Sequence, residues 1–450
     1  MNLSRKICVV IGLGQTGVAV VRFLRSRGAI VRANDRREAE ALGPTVGEIE
    51  AMGAELFLGG HPDAAFEAAE LVVVSPGVPA LDAIERAEAG GALVVSEIEL
   101  AARFIDAPIV GITGTNGKST VTTLLGRMAE RLDRPTFLGG NLGRPMIEAV
   151  GTDAAGSSGL VVVELSSFQL ERVSTFRAHV AVLLNLSADH LDRYPSMAEY
   201  AAAKSHIFDR QGEDDFAVVP ADAPDLLPLI RGDGTTVSFG GESGDVRVDG
   251  DELVDTKSSL RVPVRDLRLR GSHNVSNACA AALCARIVGV GPSDIEGVLR
   301  SFEGLAHRMQ YVQAVGGVEY IDDSKATNVG AAVASIEGLV AQTGKVVLIA
   351  GGVDKGGGYR ALRKEMESRG RAVVLMGDAA PLIEEAFVDS DLALRRARSM
   401  DEAVSTAASL ASPGDTVLLA PACSSFDMFT SYAARGDAFQ RAVADLGAIR

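Results

Sequence analysis

The sequence predicts an α/β protein of three domains, divided near residues 98 and 306. Length, periodicity and punctuation each point there. A chain of 450 residues is too long for one hydrophobic core, and ordinary domain sizes make about three units of it. Short β-branched runs alternate with helical stretches almost throughout, which implies parallel sheets with helices on both faces. Glycine-rich turns and polar loops follow the strand ends, where open parallel sheets hold their ligands.

The elements follow in order. In the first unit, residues 1–98, strands are expected at 7–11, 30–34, 71–74 and 93–95, with a glycine turn at 12–17 and a helix at 18–27. The second unit, 99–305, opens with a strand that runs into a glycine turn at 111–117 and a helix at 121–128. Its further strands are expected at 160–165, 180–185 and 216–219. The stretch 233–270, rich in Gly, Asp and Val, reads as a small antiparallel excursion, and an Ala-rich helix runs to about residue 288. The third unit, 306–450, carries strands at 318–321, 346–349, 372–376 and 416–419, with helices between. No internal repeat and no low-complexity tail interrupts this order.

Composition excludes several classes. With 47% hydrophobic and 23% charged residues the chain is an ordinary globular protein. A net charge of −15 argues against nucleic acid or an anionic membrane as partner, because phosphate backbones need a basic face. Anionic ligands must then be held by local devices: glycine turns, helix N-termini and single cations. Cys8, Cys279, Cys284 and Cys423 lack metal-ligand spacing and read as reduced, buried thiols. The basic, apolar start resembles a signal peptide, yet Gly12, Gly14, Gln15, Thr16 and Gly17 break it at nucleotide-turn spacing. A cytoplasmic monomer is expected.

The strongest chemical signal is Gly114-Thr-Asn-Gly-Lys-Ser-Thr120 between a strand and a helix. Backbone N–H groups and the helix dipole there hold phosphate oxygens, the lysine neutralises them, and a hydroxyl reaches magnesium. The usual P-loop pattern wants a glycine where Ile112 stands; the glycines fall at Gly111 and Gly114 instead. An ATP-handling, P-loop-type central domain follows. The first unit carries Gly12-Leu-Gly-Gln-Thr-Gly17, with Asp35 closing the second strand, which makes it Rossmann-like. That turn is a device for a diphosphate, so NAD(P) is one reading among others. Arg36 and Arg37 are either anion ligands or solvated surface residues.

Glu164, at a strand end, is placed to hold magnesium, and Asp189-His190-Leu-Asp192-Arg193 follows the next strand in the same way. With only six histidines in the chain, His190 beside two carboxylates reads as a ligand. Lys204, on a helix after three alanines, reads by itself as a solvated lysine. In the Rossmann-like third unit, polar loops lie at 322–328, 351–356 and 421–427. Three such loops at one sheet edge argue for a substrate crevice, although Thr327 or Asn328 could equally be a helix N-cap.

These motifs resemble one family, the Mur ligases, ATP-dependent amide-bond enzymes of peptidoglycan precursor synthesis. Gly114 to Thr120, Gly271-Ser-His-Asn-Val-Ser-Asn277 and His307-Arg308 carry the resemblance over essentially the whole chain. Glu164-Leu-Ser-Ser-Phe-Gln-Leu170, Asp189-His-Leu-Asp-Arg-Tyr194 and Asp323-Ser-Lys-Ala-Thr-Asn328 narrow it to the branch that adds D-glutamate to UDP-N-acetylmuramoyl-L-alanine. The resemblance implies an acyl-phosphate and a tetrahedral intermediate, and it implies roles. Gly14, Gln15, Thr16, Gly17, Asp35, Arg36, Ser75, Pro76 and Gly77 would hold UDP, with Asn141, Ser166 and Gln169 near the sugar-peptide. Gly114, Thr115, Asn116, Gly117, Lys118, Ser119 and Thr120 would hold ATP phosphates, Asn274 and Asn277 would approach the base, and Arg308 and Asp323 the phosphates and ribose. Two magnesium ions are implied: Ser119 and Glu164 at one, His190 and Lys204, as a carbamate, at the other. Lys118, Glu164, His190 and Lys204 would be catalytic, and Lys325, Thr327, Lys355, Ser425 and Phe426 would hold D-glutamate. The chain departs from the family pattern at Phe426, where relatives have Leu, and at Tyr432, a position often Phe. A sibling ligase, folylpolyglutamate synthetase, a nicotinamide oxidoreductase and a non-catalytic nucleotide-binding regulator are the competing readings.

Overall fold

A computed structural model describes every residue except Asp192, Arg270, residues 340–343, Gly357 and Arg450. Three sheets carry the fold. The first has strands β1 (Ile7–Ile11), β2 (Ile30–Asn34), β3 (Glu55–Phe57), β4 (Leu71–Val74) and β5 (Leu93–Ser96), in the order β3-β2-β1-β4-β5. Every pairing in it is parallel. Continuous apolar runs such as Leu71-Val-Val-Val74 arise because helices cover both faces, so no side of the strand meets water.

The second sheet comprises β6 (Ile109–Thr113), β7 (Thr136–Gly140), β8 (Leu160–Glu164), β9 (Val180–Leu183), β10 (Phe216–Pro220), β11 (Thr235–Phe239), β12 (Val246–Asp249), β13 (Glu252–Asp255) and β14 (Arg261–Pro263). Its order is β14-β13-β12-β11-β10-β9-β6-β8-β7. β6 lies centrally between β8 and β9, so the glycine turn after it opens at the switch point of the sheet. The expectation of an antiparallel excursion over 233–270 needs correction. β11 pairs parallel with β10, and antiparallel pairing starts only between β12 and β13.

The third sheet holds β15 (Gln310–Val315), β16 (Val318–Asp322), β17 (Val346–Gly351), β18 (Gly370–Met376), β19 (Ala393–Arg396) and β20 (Thr416–Leu419), in the order β15-β16-β20-β17-β18-β19. Only β15 runs antiparallel to its neighbour. The strands without a sequence signal, β3, β7, β15 and β19, are sheet edges or lie next to water, where the apolar run thins out.

The units meet in two different ways. One continuous apolar core joins the first sheet to the second: Leu13, Phe23 and Leu24 belong to the same cluster as Met146, Ile147, Val161 and Leu183. Phe23 and Phe104 also meet edge to face, with centroids 5.2 Å apart. The third unit has its own apolar clusters, built from residue 309 onward. It touches the second unit through hydrogen bonds and ion pairs around the site.

Candidate active site

The turn after β6 is shaped by glycine where nothing else fits. Gly117 sits at φ +86°, and a Cβ there would lie 2.3 Å from Asn277 Oδ1. It ends in the helix Lys118–Ala129, whose first-turn residues Lys118, Ser119 and Thr120 line the cavity. Lys118 folds back so that Nζ donates to Gly114 O at 2.9 Å and Thr115 O at 2.7 Å. Burial lowers its pKa, against the pull of Glu164 and Asp189. The turn is pinned from the segment after β9: Asn116 N donates to Asn185 Oδ1 (2.9 Å), and Ser187 N to Thr115 Oγ1 (3.0 Å). Asn277 Nδ2 donates to Asn274 Oδ1 (3.2 Å) on the helix Ser272–Ile287 behind it.

Glu164 ends β8, buried. One oxygen accepts from Asn141 Nδ2 at 2.7 Å; Oε2 is buried and has no hydrogen-bond partner among the described residues. A desolvated carboxylate oxygen of this kind is stable only when a cation or donor meets it, so the site fits a divalent ion. Among the described residues no group of three His, Cys, Asp or Glu stands ready for a metal. An ion here would complete its shell with the Ser119 hydroxyl, phosphate oxygens and water, as magnesium does.

Lys204 corrects the sequence reading of a solvated lysine. It lies on the helix Met197–Ser205, is 1% exposed, and donates from Nζ to Gly114 O at 2.9 Å. Its ammonium sits 4.5 Å from the ring centroid of Tyr200, one helical turn earlier. Burial, reinforced by Lys118, holds its pKa well below the ordinary lysine range. The neutral amine so favoured is the form that can add to CO₂.

His190 lines the same cavity, at φ +55°, with its N–H bonded to Asp189 Oδ1 (3.0 Å). Asp189 is the hub here. It accepts from Asn328 Nδ2 (3.1 Å) and from Lys355 Nζ (3.3 Å), both in the third unit. Burial opposes its ionisation, but Lys355, His190 and Asn328 outweigh it and keep the carboxyl low. Asn328 also caps the helix Val329–Glu337, accepting from Ala331 N, so the N-cap alternative holds for Asn328 alongside its contact with the site. The second carboxylate of that motif, Asp192, lies outside the described residues.

From the third unit, Arg308 Nη2 donates to Ser119 Oγ at 2.7 Å. Buried Asp323 accepts from Ser335, and burial raises it to about 6. Lys325 is lowered to about 8 by burial and then by Arg308; its ammonium stands 4.0 Å from the Tyr432 ring centroid. Thr327, Lys355, Ser425 and Phe426 line the same space; Ser425 is buried, while Phe426 is 75% exposed at its rim. Arg435 fixes this wall: fully buried, it donates to Ser324 O (2.9 Å) and to Cys423 O (3.1 and 3.2 Å), tying the loops after β16 and β20 together.

The candidates thus divide. Thr115, Asn116, Gly117, Lys118, Ser119, Thr120, Asn141, Glu164, Ser166, His190, Lys204, Asn274, Asn277, Arg308, Asp323, Lys325, Thr327, Lys355, Ser425 and Phe426 all line one cavity of about 1080 Å³. Gly114 contributes its carbonyl beneath. Gln169 is turned away, its amide oxygen closing a capping box with Ser166. The first-unit candidates lie elsewhere. Gly14 and Gln15 border a hollow of about 370 Å³ with Arg22 and Arg37, and Ser75 and Gly77 border a smaller one. Thr16, Gly17, Asp35, Arg36 and Pro76 border neither. Asp35 is committed within the protein: it accepts from Leu13 N (2.8 Å), and Arg37 grips it through Nε (2.9 Å) and Nη2 (2.7 Å). Burial works against that carboxylate, but Arg37 and the Leu13 N–H bring it down to about 2.

Sequence reasoning gave no role to Tyr200 or Arg435, and it marked Asp189 only as part of a strand-end metal motif, not as the partner of Asn328 and Lys355. Tyr200 precedes Lys204 by four residues on a helix, a signal that was there to read. The partners of Asp189 and the contacts of Arg435 are long-range, and no local pattern announces them.

Comparison with known proteins accords with this geometry. Residues 6–96 match the family described as Mur ligase MurD-like, N-terminal domain; residues 112–285 match the Mur ligase middle domain; residues 307–423 match the Mur ligase, glutamate ligase domain. A protein of Desulfosudis oleivorans named UDP-N-acetylmuramoylalanine--D-glutamate ligase is 44% identical, over 98% of this chain and 97% of its own. A protein of the same name from Trichlorobacter lovleyi is 43% identical, over 98% and 99%. Among solved structures, UDP-N-acetylmuramate-alanine ligase MurC of Thermotoga maritima superposes with a TM-score of 0.60 at 20% identity, over 99% of this chain and all of that one. MurF ligase of Thermotoga maritima, solved with ADP, gives 0.62 at 18% identity, over 98% and 99%. At such identities the structures speak for the fold.

Proposed function

The chain belongs to the Mur ligase family, and from that premise we propose that it is an ADP-forming ligase joining D-glutamate to UDP-N-acetylmuramoyl-L-alanine. Mur ligases are ATP-dependent, and the relatives that share over 40% of its residues carry the name of this activity. One observation carries the reading for this chain. A phosphate-binding turn, a buried carboxylate with an orphaned oxygen and three cations of the third unit (Arg308, Lys325, Lys355) face a single cavity.

The chemistry explains why these parts must converge. A carboxylate does not acylate an amine at neutral pH, because its oxygens leave poorly. One oxygen of the alanyl carboxylate attacks the γ-phosphorus, the bridging P–O bond breaks, and ADP departs. The D-glutamate amine, without its proton, then adds to the carbonyl carbon of the acyl phosphate, and phosphate leaves from the tetrahedral intermediate. The first step drives anion against anion. Lys118 and Arg308 lower that repulsion, and the first-turn N–H groups after Gly117 spread the charge. Two magnesium ions, when bound, would add Lewis-acid stabilisation of the phosphoryl oxygens, with Ser119 and Glu164 at one and His190 and the Lys204 carbamate at the other.

We assign the division of labour accordingly. Residues 1–98 grip UDP through the backbone of the 12–17 turn and the Ser75-Pro76-Gly77 loop; Asp35 acts there by shaping Leu13 and Arg37. Residues 99–305 hold ATP, with Asn274 and Asn277 toward the base. Residues 306–450 bring D-glutamate against Lys325, Thr327, Lys355 and Ser425, and their polar seam with the second unit excludes water, which would hydrolyse the acyl phosphate. No helix among the described residues is long and apolar enough to cross a membrane; a monomer working on small substrates, free of nucleic acid and membrane, is the arrangement proposed.

The test is phosphate release with ATP, magnesium and UDP-N-acetylmuramoyl-L-alanine, comparing D-glutamate with L-glutamate, meso-diaminopimelate and L-lysine. Release with D-glutamate alone supports the assignment; release with another amino acid would move it to a sibling ligase. Coupling without ATP consumption would remove it.

A further inference from the structure

One guanidinium at the seam between the first and second units is left over by the chemistry above. Arg193 belongs to the same turn as Asp189 and His190, and both its own N–H and that of Tyr194 donate to His190 O at 3.0 Å. Its side chain points away from the cavity. Nη1 donates to Val78 O at 3.1 Å, the residue that closes the Ser75-Pro76-Gly77 loop after β4. Nε and Nη2 form a forked pair with Glu171, at 3.1 and 2.6 Å, just past the helix Ser167–Leu170. The guanidinium carbon lies 4.6 Å from the Phe168 ring centroid, and that ring also meets the imidazole of His190, edge to face at 4.9 Å. Tyr194 closes the circuit: its hydroxyl donates to Glu171 Oε1 at 2.5 Å, and its ring stacks on Phe168.

Each contact uses a different property of arginine. The fork matches a carboxylate, the remaining N–H reaches a carbonyl of another domain, and the flat face lies on an aromatic ring. Lysine could satisfy one of these at a time. The side chain is three-quarters buried, so solvent does not compete freely for it. The Val78 contact spans 115 positions of sequence and is anchored to the residue that presents His190.

We propose that Arg193 is a positioning residue that sets the register between the loop gripping the nucleotide-sugar and the His190 edge of the catalytic cavity. The inference rests on the ligase reading above. It assigns Arg193 no contact with substrate. The substrate is held at one end by the first unit and reacts at the other end in the second, so remote binding helps catalysis only if the two ends keep a fixed separation. Arg193, Glu171 and Phe168 supply that fixed separation where the β4 loop and the His190 turn share a side chain.

The test compares a tethered with an untethered acceptor. Wild type and the Arg193→Met and Arg193→Lys variants are assayed for phosphate release with UDP-N-acetylmuramoyl-L-alanine and with N-acetylmuramoyl-L-alanine, which lacks the nucleotide. In Arg193→Met the advantage of the tethered acceptor in kcat/KM should shrink about tenfold, mostly through kcat, while KM for ATP stays within about twofold. Arg193→Lys, which keeps a cation on Phe168, should fall between, and it stands in should the Met variant fail to fold. An unchanged tethered advantage in either folded variant, or an equal loss with both acceptors, would overturn the proposal. No turnover of the tethered acceptor by the wild type would instead refute the ligase reading.

Discussion

The two seams of this molecule are built from opposite materials. Between the first and second units, Phe23, Leu24, Met146 and Ile147 share one apolar core, with a few polar ties set against it: Glu97 accepts from Ile147 N, and Arg193 donates to Val78 O. Between the second and third units, the contacts around the site include Arg308 on Ser119, Asn328 on Asn116 and Asp189, and Lys355 on Asp189. A packed apolar seam resists sliding, because separating it exposes surface to water; a polar seam can exchange each of its bonds for water or ligand. The difference teaches a division of duty. On the assignment proposed above, the nucleotide-sugar grip and the ATP site would be held in constant relation, whereas the proposed amino-acid domain meets them through groups that would otherwise bind ligand charge. Substitutions at the polar seam should therefore cost chemistry and spare the fold, and those at the apolar seam should do the reverse.

The largest effect is expected at Lys118. It is half-buried, its Nζ bonded to Gly114 O and Thr115 O beside the polar seam. Lys118→Ala should lower ADP formation about a thousandfold or more, since removing a preorganised charge from a phosphoryl-transfer site costs on the order of 4 kcal/mol. Its melting midpoint should stay within about 2 °C of wild type. Normal turnover would refute the ATP-site assignment, and a collapse in melting would refute the contrast between seams. At the apolar seam, Ile147→Ala empties a site that is 2% exposed. The loss should be about 3 kcal/mol in chemical denaturation, while the KM for ATP of the folded fraction is unchanged. A neutral result would mean that the shared core is not what holds the units together.

Lys204 comes next. Lys204→Ala should lose roughly a hundredfold in kcat and regain part of it with added acetate, a carboxylate that can occupy the space of the proposed carbamate. Loss without rescue would leave Lys204 as a structural donor to Gly114 O. No loss would remove it from the reaction altogether.

Much of this could be read from the chain, and what could not has a physical pattern. The central strands β1, β4, β6, β8 and β20 announce themselves because both faces are buried and the run stays apolar. Strands β3 and β19 carry charged or half-exposed residues and give no such run. In the site, Lys118 comes just after a strand and its glycine turn, and Glu164 ends a strand, so position alone marks them. The burial of Lys204 was not legible: a lysine after three alanines looks solvated until Tyr200 and Gly114 are brought around it. Asp35 shows the converse. Its place at a strand end is what the turn chemistry asks for, yet its oxygens are taken by Arg37 and Leu13 N, a contact only the fold reveals.

The smallest effect sharpens the comparison from the third unit. Burial and the nearby Arg308 lower Lys325 to about 8, so the free enzyme loses this charge as the pH rises through that value. An ammonium that holds a carboxylate of D-glutamate works only while protonated, so kcat/KM for D-glutamate should suffer above about pH 8. The amine of D-glutamate also titrates in that direction and favours reaction, which would mask the loss in a single profile. Lys325→Arg stays charged throughout, and the same substrate serves both enzymes, so the ratio of wild type to variant isolates the lysine. From pH 7 to pH 9 that ratio should fall about tenfold, because the protonated fraction drops from roughly nine-tenths to one-tenth across a pKa near 8. A flat ratio would place the amino acid away from Lys325. The same measurement with ATP as the varied substrate should show no such fall, since Lys325 stands on the side of the polar seam proposed to hold the amino acid.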